Sequence, residues 1–290
     1  GLDSLGKFLT DHNIEIISSG GTRKHLEELG FKVTAIESVT GNPEAFGGRM
    51  KTLSFQVSSG ILFRRDHKED IKQADELNIK PIDIVVCNLY PFKYVKEKGG
   101  DWDELVENID IGGPTMVRAA AKNYKSVWTL TSPQQYDHFI KNFKNDSLEV
   151  RKKFSMDAFI HTASYDSLIA QTFEEEILGK RNIIHIDLNE AKEVRYGENP
   201  HQKGWVVGNG SLASAKSLQG KELSYNNYLD ADAAWRQNLD LAQMTNDYAV
   251  TIIKHSNPCG VAIAKSGLRS LEKAWSGDPI SAFGSIIAFN

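Results

Sequence analysis

Residues 82–90 read IDIVVCNLY, a nearly unbroken apolar run that closes on Asn88 and Tyr90. Such a run has no solvent-facing alternation, so it suits a strand buried on both faces of a parallel sheet. Downstream, PTMVRAAAKN at 114–123 has helical periodicity, and SVWTLTS at 126–132 repeats the strand character. Upstream, LDSLGKFLTDH at 2–12 sets Leu2, Leu5, Phe8 and Leu9 on one helical face, and IEIIS at 14–18 reads as a strand. TRKHLEELG at 22–30 is a helix closed by Gly30, and FKVTAI at 31–36 is a second strand. Alternation of this kind predicts an α/β doubly wound domain with parallel strands. Such a domain normally opens on a strand, so a strand ahead of Gly1 is expected. Residues 147–178 read as one long helix or two stacked ones, and GKRN at 179–182 as a turn. Strand character returns with IIHIDL at 183–188, which places a boundary near 182 and gives domains 1–182 and 183–290.

The composition excludes several classes. A chain of 290 residues with 40% hydrophobic and 25% charged residues and a net charge of -4 has no cationic excess for a nucleic-acid backbone. No run approaches the ~18 apolar residues of a membrane span, and the amino terminus lacks the pattern of a signal peptide, so a cytoplasmic setting is expected. Cys87 and Cys259 are the only cysteines, too few for a disulfide framework. KHSNPCGVA at 254–262 invites a zinc reading, because zinc deaminases pair a His with a Pro-Cys-x-x-Cys segment. The residue three beyond Cys259 is Ala262, so no metal is expected, and Cys259 reads as a packing residue.

Candidate ligand-binding residues cluster at the ends of elements. In SSGGT, Ser19, Gly20, Gly21 and Thr22 lie between strand and helix, where backbone amides can converge on a phosphate. A plain turn with Thr22 as helix cap fits equally. GGRMKTL puts Arg49, Met50, Lys51 and Thr52 on a glycine-led loop, suited to an anionic ligand or to solvent. Cys87, Asn88 and Tyr90 end the quoted strand on the edge where open α/β sheets take ligands. In IDIGGP, Asp110 and Ile111 precede a helix start, with Lys122 further along that helix. Asp110 also reads as a charge favoured by the helix dipole, and Lys122 as a surface lysine.

Taken in order, SSGGT, GGRMKTL, CNLYPF, IDIGGP, RAAAKN, RYGENPHQ, GKELSYNNYLDADAAW, KHSNPCGVA and DPISAFG resemble the bifunctional purine biosynthesis family. That family joins an IMP cyclohydrolase to a phosphoribosylaminoimidazolecarboxamide formyltransferase. The resemblance implies a Rossmann-like, methylglyoxal synthase-type first domain, then the first part of a formyltransferase domain related to cytidine deaminases but without their zinc. It implies a nucleotide-phosphate cradle at Ser19, Gly20, Gly21 and Thr22, and ligand contacts at Arg49, Met50, Lys51, Thr52, Cys87, Asn88 and Ile111. The implied ring closure, in which an exocyclic nitrogen attacks a formyl carbon and water leaves, needs no cofactor. Lys51, Asp110 and Tyr90 are its implied catalytic groups, with Lys122 as the proton-transfer residue. For formyl transfer the resemblance implies His255 as general base, Lys254 as transition-state stabiliser, and Arg195, Tyr196 and Gly284 as nucleotide contacts. 10-Formyltetrahydrofolate is the implied co-substrate, and a homodimer is implied because the formyltransferase site spans two subunits.

Three departures stand out. The family usually continues Lys-Thr-Leu with His-Pro-Lys, where this sequence has Ser54, Phe55 and Gln56. The family's first strand with its Ser-Asp-Lys-Thr turn, and the later half of its formyltransferase, fall outside these 290 residues. The expectation is therefore no formyl transfer by this chain and impaired ring closure. Two other readings remain: a nucleotide-binding module without catalysis, and a methylglyoxal synthase-like lyase.

Overall fold

The computed structural model describes residues 1–179, 191–208, 210 and 212–290. The chain divides into two compact units, Gly1–His185 and Ile186–Asn290. The strand expected at 183–188 and the boundary near 182 lie outside the described residues.

The first unit alternates as its periodicity requires. Its elements are α1 (Leu2–Asp11), β1 (Ile16–Ser18), α2 (Gly20–Glu28), β2 (Val33–Ala35), α3 (Ile36–Thr40), α4 (Phe55–Leu62) and α5 (Lys68–Glu76). They continue with β3 (Ile84–Val86), α6 (Phe92–Glu97), α7 (Trp102–Glu107), α8 (Gly112–Lys122), β4 (Trp128–Leu130), α9 (Tyr136–Asn142) and α10 (Leu148–Leu178). Within the run at 82–90, residues 84–87 are apolar because both sides of β3 are covered. Ile84 and Val86 pack on a cluster of Leu5, Leu9, Trp128, Leu130, Phe139 and Phe154, from α1, β4, α9 and α10. Val85 and Cys87 turn to the opposite layer, with Ile36, Val57, Ile61, Ala120 and Val127 from α3, α4, α8 and the lead into β4. Helices on both faces of parallel strands make the layered α/β arrangement that the sequence predicts.

Strands β1 and β2 pair in parallel, as do β3 and β4, and the two pairs form separate two-stranded sheets among the described residues. The 147–178 segment resolves to one continuous helix, α10, of 31 residues, capped by the Ser147 hydroxyl and closed by Gly179 in the left-handed region. Ser54, the first departure from the family, is the N-cap of α4: its side chain accepts from Val57 N at 3.0 Å, so Phe55 and Gln56 form the first helical turn.

The second unit comprises β5 (Lys192–Glu193), β6 (Trp205–Val206), α11 (Tyr225–Met244), β7 (Tyr248–Lys254), β8 (Asn257–Ala264), α12 (Gly267–Trp275), α13 (Pro279–Ala282) and β9 (Ile286–Phe289). Central β7 pairs antiparallel with β8 on one side and β9 on the other. Its buried run, Ala249 to Ile253, accounts for the β-branched stretch ahead of Lys254. Cys259 lies within β8 and packs on the Val250, Ile252 and Ala274 cluster, in the packing role that the sequence suggested. A Cβ at Gly260 would collide with the Ala274 carbonyl, so only glycine lets α12 lie this close to β8.

Candidate functional site

The amino ends of α2 and α8 are joined through the loop between them. The expected Ser19–Thr22 loop is instead the first turn of α2, with Ser19 as N-cap; Thr22 is helical and caps nothing. Because the first intrahelical bond runs from Arg23 N to Ser19 O, the amides of Gly20, Gly21 and Thr22 are left over as donors. Lys51 reaches this end: its Nζ lies 3.7 Å from where a Gly20 Cβ would stand. The next residue, Thr52, meets the other helix, its Oγ1 lying 2.5 Å from the Cβ position of Gly112. A side chain at Gly112 would displace that hydroxyl, which explains glycine at the start of α8.

Asp110 closes the arrangement. Its Oδ1 accepts from Gly113 N at 2.7 Å, and its own amide donates to Tyr165 Oη at 2.9 Å. Burial, with the Asp110 charge adding to it, pushes the Cys87 thiol up to about 12, so Cys87 is a neutral wall and not a nucleophile. Two helix amino ends, the Lys51 ammonium with Glu44 at 3.1 Å, and the Thr52 hydroxyl bring together donors of the kind that receive a phosphate or a developing oxyanion.

Other expected residues stand elsewhere. Arg49 is paired with Glu107, which raises the Arg49 pKa and lowers that of Glu107. Met50 bridges back to Ala45. Asn88 donates from Nδ2 to Tyr136 Oη at 3.3 Å, while Tyr90 and Ile111 are exposed. Lys122 is not brought to the cluster. It is the last residue of α8, whose amino end is at Gly112. At 1.5 Å per residue it lies about 15 Å along the helix from that end, beyond the reach of a lysine side chain. It lines a groove of about 700 Å³ with Ser58, Leu62, Arg118, Tyr124, Ser155 and Phe159.

In the second unit, KHSN is a tight hairpin. His255 and Ser256 have φ of 54° and 60°, the pair of positive values that a two-residue turn demands between twisted strands. Asp230 of α11 fixes the turn by accepting Ser256 N at 2.7 Å. His255 is thereby presented at the exposed tip, and Lys254 donates from Nζ to Phe283 O at 3.0 Å, beside Gly284 at φ 73°. The hydrogen bonds from Ser281 hold the Asp278 carboxyl below its ordinary range, with Lys254 adding to the effect. Arg195 lies over the Tyr196 ring, 4.8 Å from its centroid, and donates to its hydroxyl at 3.2 Å. Among the described residues no group of three His, Cys, Asp or Glu side chains is placed to hold a metal ion.

Two family profiles divide the chain within α8, ahead of the boundary between the two units. The profile described as "AICARFT/IMPCHase bienzyme" matches residues 120–290, more than half of the chain. The chain belongs to the AICARFT/IMPCHase bienzyme family. The profile described as "MGS-like domain" matches residues 1–115. Curated relatives named "Bifunctional purine biosynthesis protein PurH" include one from Aquifex aeolicus, 44% identical over 300 residues, covering 100% of this chain and 58% of the relative. One from Prochlorococcus marinus (strain NATL2A) is 45% identical over 302 residues, with the same two shares, 100% and 58%. The chain thus spans 58% of the length of these bienzymes. A solved structure titled "Crystal structure of ForH" overlays at a TM-score of 0.49 and 28% identity, covering 58% of this chain and 89% of that one.

Several residues of this bienzyme-family chain that shape the clusters carry no sequence signal. Glu44 pairs with Lys51 at 3.1 Å, Tyr165 holds the Asp110 amide from α10, and Asp230 anchors the hairpin. Only Asp230 lies inside one of the quoted motifs, and its partner there is set by folding.

Proposed function

We propose that this chain, whose relatives are named for purine biosynthesis, serves the last two steps of that pathway, with the nucleotide phosphate of the cyclohydrolase step held between α2 and α8. The observation that carries this reading is the junction at Lys51 and Thr52, which touches both helix starts. In ring closure the carboxamide nitrogen attacks the formyl carbon, a C–N bond forms, and the former formyl oxygen takes up two protons and leaves as water. Both reacting groups sit in one molecule, so fixing its conformer supplies much of the rate. Lys51 stabilises charge on the formyl oxygen and Asp110 accepts a proton from the attacking nitrogen.

In the second unit, Arg195 and Tyr196 would hold the aminoimidazole carboxamide ribonucleotide. In a bienzyme of the relatives' full length, of which this chain spans 58%, His255 would take the amine proton as a formyl group passes from N10 of 10-formyltetrahydrofolate to that amine, releasing tetrahydrofolate, with Lys254 stabilising the transition state. The setting proposed is the cytoplasm, and the assembly a homodimer; no helix among the described residues is long and apolar enough to cross a membrane.

Incubating the chain with the formylated nucleotide and measuring IMP tests the first half. Slow turnover is expected, with a further loss of at least tenfold in Lys51→Ala, since a charge-assisted contact is worth about 1.5–3 kcal/mol. A second reading, nucleotide binding without turnover, draws support from the position of Lys122 at the far end of α8. IMP binding with no IMP formation from substrate would favour it. A lyase acting on a triose phosphate accounts for the MGS-like match alone and leaves residues 120–290 unexplained.

A further inference from the structure

Tyr165 is a buried titratable group that no step of the reaction above uses. It lies on the inward face of α10, in a cluster with Phe92, Val95 and Leu105, and meets the Phe92 ring edge-on with centroids 6.4 Å apart. Burial pushes its phenol above the ordinary range, so the hydroxyl keeps its proton and can donate as well as accept.

Both capacities of that hydroxyl go to one short piece of backbone. Oη accepts from Asp110 N at 2.9 Å and donates to Asn108 O at 3.3 Å. Asn108 is the C-cap of α7, and Asp110 stands two residues ahead of α8, so one side chain of α10 ties the end of one helix to the approach of the next. Ile109, between them, packs against the same cluster as the ring.

Asp110 is the residue on which this tie acts. Ile111, the N-cap of α8, makes no capping bond with its side chain, and Asp110 replaces it through Oδ1, which accepts from Gly113 N at 2.7 Å. Oδ2 is left without a hydrogen bond among the described residues. It lies over Gly113, 2.5 Å from where a Cβ would stand, as Thr52 Oγ1 lies over Gly112 at the same distance. Two consecutive glycines therefore bring an unpaired carboxylate oxygen and the junction hydroxyl to one helix start.

We propose that Tyr165 is a positioning residue for ring closure: its hydroxyl fixes the Asn108–Asp110 backbone so that Asp110 Oδ2 is held where the attacking nitrogen gives up its proton. This rests on the role proposed above for Asp110 and deepens it, because it makes the aim of that carboxylate depend on α10. A reacting group displaced by about 1 Å can cost about 100-fold in rate. Phosphate held at Lys51 and Thr52 should feel the same displacement far less.

The experiment is Tyr165→Phe in the whole 290-residue chain, which removes the hydroxyl and keeps the ring. IMP formation from the formylated nucleotide is measured for this variant alone and combined with Asp110→Asn, at a temperature where melting curves show each chain folded. Tyr165→Phe is expected to lower kcat at least tenfold, with KM and the calorimetric affinity for IMP within twofold of the parent. In the Asp110→Asn background it should cost less than twofold, because a residue that acts through Asp110 then has nothing to position. Phe92→Leu, which loosens the ring without removing the hydroxyl, should give a smaller loss that Asp110→Asn masks in the same way. An unchanged kcat, a rise in KM alone, or the same cost in both backgrounds would overturn the inference and leave ring closure standing. A parent chain that forms no IMP would overturn the reading beneath it, and the inference with it.

Discussion

Glu44 holds the ammonium of Lys51 at 3.1 Å, and both side chains are partly exposed. An incoming anion competes with that carboxylate, so Glu44→Gln should tighten binding of inorganic phosphate severalfold by titration calorimetry; unchanged or weaker binding would remove Glu44 from the site. Gly112→Ala drives a methyl group onto Thr52 Oγ1 and should weaken phosphate binding about tenfold with little change in melting temperature, since only a side-chain tip has to move. Cys87 titrates at about 12 in the folded chain against 9.0 for an ordinary thiol, so the unfolded chain releases its proton first. The stability this contributes is complete below pH 9.0 and is lost as pH rises toward about 12. Cys87→Ser should flatten that alkaline decline in denaturant melts, and thiol reagents at pH 8 should label Cys259 well ahead of Cys87. Lys51, Thr52 and Asp110 were legible in the sequence because each lies within four residues of a Gly-Gly pair, Gly47–Gly48 or Gly112–Gly113. Glu44 and Tyr165 were not, because their contacts exist only once distant segments meet.

Two elements owe their shape to side chains that sequence patterns do not single out. Buried Asn123 donates from Nδ2 to Ile61 O at 2.8 Å and Phe63 O at 3.0 Å, satisfying the carbonyls at the end of α4. Asn123→Ala strands both, and a loss of about 1–3 kcal/mol is expected in chemical denaturation, against near-neutrality if water replaces the amide. In the β7–β8 hairpin, Ser256 holds φ 60° where glycine is unstrained. Ser256→Gly should therefore stabilise the second unit by about 0.5–1 kcal/mol, read as slower amide exchange along β7. The sequence located this segment but not its turn, because His-Ser is not a pair that announces positive φ; Asp230 supplies the compensation from α11. The long α10 was visible as helical material, yet only its burial pattern shows which face is left over.

For the whole molecule, alternation of helix and strand was readable at α1 to β2 and again from β3 through α8 to β4, where apolar runs meet helical periodicity, while α3 to α7 were not singled out. What the sequence could not show is distance. RAAAKN follows IDIGGP closely in the chain, so Lys122 and Asp110 look like neighbours until α8 carries them to opposite ends of one helix. The chain belongs to the bienzyme family through both of its units, and the α2–α8 junction is where its nucleotide phosphate is proposed to sit. Calorimetric titration of the 290-residue chain with IMP, repeated for Lys51→Ala and Lys122→Ala, tests that placement most directly. The account predicts at least tenfold weaker binding for Lys51→Ala and a change within twofold for Lys122→Ala. Full affinity in Lys51→Ala together with lost affinity in Lys122→Ala would contradict it, and would move the nucleotide to the groove that runs along α8 from Pro114 to Lys122.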